Sequence, residues 1–311
     1  MSGRRSYLAG LLGQGIKPSL TPEMHEREAV RQGLRYVYKT VDLADDALGR
    51  DRLGALLAAA VDLGFDGLNV THPVKQTMVP LVGRVTPEVE AIGALNTVLV
   101  DAAETVGHNT DVTGFARAFA DALADAARDE VVLLGAGGAG TAVAHALAAQ
   151  GVRRLVVVDP DATRAAALAG SVRRAAPGAD VVTVAPAGVA AALGAADGLV
   201  NATPVGMAAH PGSPVPVDLL RPGLWVADIV YRPLHTELLR AAADRGCRTL
   251  TGAGMAVHQA ADAFELITGR PADRAAMFRD FDQLVAAETQ ETERTQDTNP
   301  RTRDHPEERN H

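Results

Sequence analysis

One cysteine, Cys247, is all the chain holds in 311 residues, which excludes an internal disulfide and a thiolate metal cluster. That usage fits a reducing cytoplasm. Aromatic residues are scarce too, at 4%. Basic residues do not exceed acidic ones: the formal net charge is -8, so no bulk attraction to nucleic acid or to an anionic membrane surface is expected. An anionic ligand would have to be held by local groups. Long apolar runs are missing as well. Met1 to Gly10 carries Arg4 and Arg5 with no signal-peptide core behind them, and no window approaches the roughly 20 apolar residues of a membrane span. His72, His108 and His258 lie near the motifs described below, but no histidine or carboxylate spacing suggests a metal site, and none is expected. No repeat of solenoid length is evident.

What is there reads as a soluble globular protein, 47% apolar and 22% charged, with length enough for two domains. Strand-like runs at Tyr7-Leu12, Tyr36-Val41, Gly67-Val70, Leu95-Val100 and Thr105-Val106 alternate with helical stretches. Thr21-Pro22 and Thr86-Pro87 look like helix starts, a capping side chain followed by proline in the first turn. A second series begins at Glu130 with a nearly continuous apolar strand and repeats at Arg154-Val158, Asp180-Val184, Gly198-Asn201, Leu224-Ile229 and Thr249-Leu250. Helices between these strands predict a doubly wound parallel sheet. Two further helices are predicted over Met255-Thr268 and Ala272-Glu288. From Thr289 to His311 no aliphatic or aromatic residue occurs, and that tail is expected to be disordered.

Gly135, Ala136, Gly137, Gly138, Ala139 and Gly140 follow directly on the first strand of the second series and open a helix running to Gln150. Strand, glycine turn, helix and second strand in that order predict a dinucleotide site. Gly135 permits the turn, Gly137 lets a pyrophosphate approach backbone, and Gly140 allows close helix packing. Asp159 ends the second strand, where an acidic side chain accepts hydrogen bonds from the adenosine ribose and repels a 2'-phosphate. Asp161 adds to the repulsion and Arg164, one helical turn on, opposes it. NAD is therefore expected over NADP. Asn201-Ala202-Thr203-Pro204 and Gly252-Ala253-Gly254 also follow strands, at the edge where open sheets bind ligands, and Gly254 is expected to approach the nicotinamide.

Three polar clusters precede the glycine turn: Asn69-Val70-Thr71-His72-Pro73-Val74-Lys75, Ala94-Leu95-Asn96-Thr97 and His108-Asn109-Thr110-Asp111. Singly, each could be a turn or a cap. In this order, with Asn201-Ala202-Thr203-Pro204 and Gln259 after the glycine turn, they make the chain resemble the shikimate dehydrogenase family from about Tyr7 to Leu284. The resemblance implies an α/β substrate-binding domain over residues 1–112, completed by 255–288. A Rossmann-type doubly wound NAD-binding domain would follow over 113–254, with the tail at 289–311. It implies that Lys75 and Asp111 are the catalytic pair, and that Ser19 and Thr21 grip a ring carboxylate. Asn69, Thr71, Asn96 and Gln259 would then surround the ring hydroxyls, with Tyr231 reaching the substrate as well. Thr203 and Pro204 fall on the cofactor side.

Two departures point within the family. Many shikimate-specific members carry Ser-x-Ser where Ser19-Leu20-Thr21 stands, a pattern similar to the quinate-using branch. NADP-dependent members typically carry Asn-Arg-Thr where Asp159-Pro160-Asp161 stands. Both make a quinate/shikimate dehydrogenase using NAD the expectation. The alternatives are a biosynthetic NADP-dependent shikimate dehydrogenase, a relative acting on an aminated ring acid, or a ligand sensor that has kept the fold without the chemistry. Whether Lys75 takes the proton or stabilises an alkoxide while Asp111 exchanges it stays open, as does oligomeric state, a homodimer included.

Overall fold

In the computed structural model, residues 5–101 and 103–297 are described, and their strands form two six-stranded sheets. The first sheet contains β1 (Ser6–Gly13), β2 (Arg35–Asp42), β3 (Gly67–Val70), β4 (Arg84–Val85), β5 (Thr97–Val100) and β6 (Thr105–His108), in the order β2-β1-β3-β5-β6-β4. It is mixed: β1 lies parallel to β2 and β3, whereas β5 runs antiparallel to both β3 and β6. The second sheet contains β7 (Glu130–Leu134), β8 (Arg154–Val158), β9 (Asp180–Val184), β10 (Gly198–Asn201), β11 (Trp225–Asp228) and β12 (Arg248–Leu250), in the order β12-β11-β10-β7-β8-β9 with every pair parallel. That is the doubly wound order, and the strand sequence reverses direction between β7 and β10. A crevice for a ligand opens at such a switch point.

The helices are α1 (Thr21–Arg31), α2 (Arg50–Asp62), α3 (Pro87–Ile92), α4 (Thr110–Leu123), α5 (Gly138–Ala149), α6 (Ala162–Ala175), α7 (Val189–Ala195), α8 (Glu237–Asp244), α9 (Gly252–Thr268) and α10 (Arg274–Asp297). Phe115 and Phe119 of α4, Val143 and Leu147 of α5 and Leu168 of α6 bury against one face of the parallel sheet. Leu193 of α7 and Leu238 and Leu239 of α8 cover the other. Helix α2 places Leu53 and Leu57 on the mixed sheet. The two halves are joined through α9. Its Met255 packs in the core of the parallel sheet, its Val257 and Ala260 against α1 and α10, and its Ile267 against β1.

Small residues make that junction possible. A Cβ at Gly254 would sit 2.7 Å from Ala118 Cβ of α4, and one at Gly114 3.0 Å from Gln259 of α9. The two helices thus pack at backbone contact. Gly254, expected to approach the nicotinamide, also has a place in this helix packing.

Three expectations need correction. Thr21 and Thr86 do not cap with their side chains: the N-cap of α1 is Leu20, and neither helix start has a side-chain cap hydrogen bond. The run Leu95-Val100 enters its strand only at Thr97, although the Asn96 backbone already bonds both neighbours, accepting the Val70 N–H and donating to the His108 carbonyl. Helix α10 continues to Asp297, nine residues past the helix end expected at Glu288 and into the segment expected to be disordered. Gln, Glu and Arg are good helix formers, and extending an existing helix adds one hydrogen bond per residue without a new nucleus. The remainder of that tail, 298–311, lies outside the described residues. Among the described residues no helix is long and apolar enough to cross a membrane.

Candidate active site

Asp111 stands in the first turn of α4, and the sequence just before it explains its placement. Asn109 is the N-cap: its Oδ1 accepts the Asp111 N–H at 3.0 Å while its Nδ2 donates to the Ala94 carbonyl at 2.9 Å. The helix start is thereby tied to the turn before β5. Lys75 arrives from the loop after β3, and its Nζ lies 2.5 Å from Asp111 Oδ2, with the two side chains only 15% and 6% exposed. Both partners are charged and mostly withdrawn from water, so this is a strong, orienting contact. Asn96 Nδ2 donates to the other carboxylate oxygen at 3.0 Å and to Thr110 Oγ1 at 2.9 Å. Lys75, Asp111 and Asn96 therefore form one cluster. His72, three residues before Lys75, is held below its usual pKa by burial and by the Lys75 charge.

The glycine turn lies against this cluster. A Cβ at Gly138 would sit 3.6 Å from both Cβ and Cδ of Lys75, so the first turn of α5 abuts the lysine stem. Gly135 has φ of +98°, and a Cβ there would meet the Ala202 carbonyl at 2.7 Å. A Cβ at Gly140 would collide with the Gly135 carbonyl, whereas nothing lies within 4 Å of one at Gly137. The turn thus has one left-handed residue, one packing residue and one face open to a ligand, the arrangement a pyrophosphate needs. Ala136 and Ala139 supply backbone at the same turn. The Ala136 N–H donates to Asp159 Oδ2 at 2.7 Å, and the Asp161 N–H donates to Asp159 Oδ1 at 2.8 Å. Asp159 is 8% exposed and serves first to lock the glycine turn to the end of β8. Asp161 caps α6 and is paired with Arg164, Nε to Oδ2 at 2.9 Å. Arg164 is thus engaged by a carboxylate on its own helix.

Facing the turn across the switch point, Thr203 folds back on Asn201, Oγ1 to Oδ1 at 2.6 Å, and Pro204 stands exposed beside it. Asn201 Nδ2 donates to the Val205 carbonyl at 2.9 Å and to Asp228 Oδ1 at 3.0 Å. Asp228 also accepts from the Val230 N–H and from Thr236 Oγ1, and burial still pushes its carboxyl up to about 6. Sequence reasoning missed Asp228. Its position, the acidic last residue of an apolar strand in an open sheet, was the available signal.

The residues expected at the carboxylate grip form a separate group. Ser19 Oγ accepts from the Thr21 N–H at 3.3 Å, and the Ser19 side chain also hydrogen-bonds Tyr231, whose phenol is pushed up by burial. Arg232 donates to the Pro18 carbonyl and pairs with Glu288 of α10 at 2.8 Å, which ties this loop to the one after β11. Thr71 is half-buried, its methyl against Gly13. Gln259 is half-buried on α9, beside Gly114, one turn after Asp111. Asn69 is 3% exposed, and both ends of its amide are taken within the chain, Oδ1 accepting from Tyr38 and Nδ2 donating to Thr97. Among the described residues no group of three or more His, Cys, Asp or Glu side chains could hold a metal ion.

Comparison with known proteins finds matches along most of the chain. The model of the shikimate dehydrogenase substrate binding domain matches residues 11–98, and that of the shikimate 5'-dehydrogenase C-terminal domain matches residues 252–277. Between them the ThiF family model matches residues 108–185, which include the glycine turn. A shikimate dehydrogenase (NADP(+)) from Streptomyces avermitilis is 54% identical over 280 residues, covering 90% of this chain and 96% of that one. A quinate/shikimate dehydrogenase (NAD(+)) from Corynebacterium glutamicum is 50% identical over 278 residues, covering 89% and 98%. Among solved structures, quinate dehydrogenase from Corynebacterium glutamicum in complex with NAD superposes with a TM-score of 0.83 at 48% identity, covering 89% of this chain and 99% of that one. With family models matching at both ends and such identity across nearly all of its described length, the chain belongs to the shikimate dehydrogenase family.

Proposed function

We propose that the chain is a quinate/shikimate dehydrogenase, an NAD-dependent oxidoreductase that reversibly converts quinate to 3-dehydroquinate and shikimate to 3-dehydroshikimate. The observation that carries this reading is the buried Lys75–Asp111 pair lying directly against Gly138 of the dinucleotide turn. Oxidation of a secondary alcohol needs a proton acceptor at the oxygen and a hydride acceptor at the carbon, and a bound NAD supplies the second. Lys75 and Asp111 supply the first as a unit, with Asn96 fixing the carboxylate from behind. Ser19, just before α1, and Thr21, its first residue, hold the ring carboxylate at the N-terminus of that helix, whose dipole favours an anion. Thr71, Gln259 and Tyr231 contact the rest of the ring acid.

The cofactor preference rests on Asp159 and on Arg164 being held by Asp161. Carboxylates here disfavour a 2'-phosphate, while the ribose hydroxyls of NAD can donate to the free lone pairs of Asp159. A second reading, an NADP-dependent shikimate dehydrogenase, is favoured by the 54% identical Streptomyces relative and by the proximity of Arg164 to this position. An initial-rate matrix of quinate and shikimate against NAD and NADP decides between them. The expected result is a higher kcat/KM with NAD for both acids. A strong NADP preference with turnover of shikimate alone would replace the first reading with the second.

A further inference from the structure

Behind Asp111 an unbroken line of side-chain hydrogen bonds crosses the mixed sheet. Tyr38 Oη of β2 lies 2.6 Å from Asn69 Oδ1 of β3, and Asn69 Nδ2 lies 3.0 Å from Thr97 Oγ1 of β5. Thr97 Oγ1 is 3.0 Å from Asn96 Oδ1, and Asn96 Nδ2 is 3.0 Å from Asp111 Oδ1. Every member is at least nine-tenths buried. The sheet register makes the line possible, because Asn69 pairs with Thr97 directly across β3 and β5. Tyr38 lies opposite Ala9 of the intervening strand, whose single methyl leaves room for the ring to reach over β1.

The direction of each bond follows from the one beside Asp111. A carboxylate paired with a lysine can only accept, so Asn96 must turn Nδ2 toward it, and its Oδ1 duly receives the Thr110 N–H at 2.8 Å. Facing that oxygen, the Thr97 hydroxyl must donate, which leaves its own oxygen to accept from Asn69 Nδ2. The Asn69 carbonyl oxygen then needs a donor, and the Tyr38 phenol provides it. Reversing any single member would bring two donors or two acceptors face to face in a buried site. All four bonds therefore donate toward Asp111, and aligned bonds of this kind polarise one another. We infer that Tyr38, Asn69 and Thr97 are positioning residues that hold the Asp111 carboxylate toward Lys75 through this one-way donor line. The inference rests on reading Lys75 and Asp111 as the reacting pair. It also gives Asn69 a role other than the substrate contact expected from its motif.

The test uses the full chain and steady-state rates with quinate and shikimate, alongside thermal unfolding midpoints. Thr97→Val removes the central hydroxyl at nearly constant volume, and kcat is expected to fall about 10- to 100-fold, in the range a small misplacement of a reacting group produces. Tyr38→Phe, at the far end, should lower kcat about 3- to 10-fold. In both variants KM for the dinucleotide stays within about twofold, since the line does not reach the glycine turn. Thr97→Ser keeps the hydroxyl and should restore kcat to within about threefold. Tyr7→Phe is the control: it too removes a buried phenol hydrogen bond on the same sheet, to the Thr268 carbonyl at 3.1 Å, but outside the line. Equal kcat in Tyr38→Phe and Tyr7→Phe overturns the inference, as does a Thr97→Ser variant as slow as Thr97→Val. If Thr97→Val does not fold, the two tyrosine variants decide alone. Asp111→Asn separates the two levels of the argument. Full activity in that variant overturns the reacting pair and the positioning line together, whereas its inactivity beside a fully active Tyr38→Phe overturns the line only.

Discussion

Two buried carboxylates, one at each sheet, are held by nearly the same helpers. Asp111, beside the mixed sheet, receives the Asn96 amide at 3.0 Å and has Thr110 next to it; Asp228, at the end of β11, receives the Asn201 amide at 3.0 Å and the Thr236 hydroxyl at 2.7 Å. What separates them is a cation. Lys75 sits on Asp111, whereas among the described residues no cation pairs with Asp228, and burial pushes its carboxyl up to about 6. The same polar scaffolding thus yields a buried ion pair, the one proposed above to do the proton chemistry, in one place and a loop fastener in the other. Asp228 holds Asn201, and Asn201 in turn fixes Thr203 and Val205 on the cofactor side of the cleft.

Replacing each carboxylate by its amide should break the symmetry most plainly. Asp111→Asn and Lys75→Ala are each expected to lower kcat by roughly 10²- to 10⁴-fold, the usual contribution of a positioned acid or base, with a much smaller change in KM for the ring acid. Asp228→Asn keeps an oxygen for the Asn201 and Val230 donors. It should leave kcat within about threefold and act instead on KM for the dinucleotide. Steady-state kinetics of the three variants check this contrast. Equal losses of kcat at both carboxylates would erase it.

The uneven legibility of these two places in the sequence has a physical cause. Lys75, Asn96 and Asp111 come in short polar clusters at strand ends, and the glycine turn is written in residue types that backbone geometry demands. Those were readable, as were the two α/β series and, for the second, the doubly wound parallel sheet. Tyr38 was not, since an aromatic on a strand looks like core until its hydroxyl is seen to reach across β1. Asp228 was hidden by the strand it ends. Thr21 and Thr86 looked like capping side chains because a threonine before proline has the right chemistry, but Leu20 is the N-cap of α1, and Thr86, at the N-cap of α3, makes no side-chain cap hydrogen bond. Gly254 carries a demand its motif did not announce: its position after a strand suggested a ligand, and Ala118 on the packed helix also requires it to be small.

The missing cation at Asp228 also has a consequence for stability that runs opposite to that of His25. His25 is fully buried among Tyr36, Tyr38 and Phe264, and burial lowers its pKa to about 3. Its contribution to stability is present above the unfolded value near 6.5 and is lost as pH falls toward 3. For Asp228, with its folded pKa raised to about 6, the contribution is full below the unfolded value near 3.8 and is lost as pH rises through 6. Between pH 4 and 6 the folded chain holds one extra proton at Asp228 and lacks one at His25, so the two slopes oppose each other. Each is about 1.4 kcal/mol per pH unit. Asp228→Asn should therefore steepen the rise of unfolding free energy from pH 4 to 6 by about that amount, measured by urea unfolding at several pH values. Parallel curves for the variant and the unaltered chain would mean that Asp228 ionises as an ordinary carboxylate and that the contrast with Asp111 is one of geometry alone.

The smallest effect is expected at the proposed cofactor-selecting position, because Asp161 and Arg164 there are exposed. Asp161 both caps α6 and holds Arg164, and a substitution that removed the cap would confuse helix stability with selectivity. Asp161→Asn avoids this, since an amide oxygen still accepts the Thr163 and Arg164 N–H groups while the charge disappears. Arg164 then loses its partner and is free to meet a 2'-phosphate. The expected gain in kcat/KM with NADP is only a few-fold, since an exposed ion pair contributes little in water and Asp159 remains in place. NAD kinetics should not move. A gain of several hundredfold would mean that Asp161, rather than the buried Asp159, is the residue that excludes the phosphate, and would shift cofactor selection from the locked end of β8 to the first turn of α6.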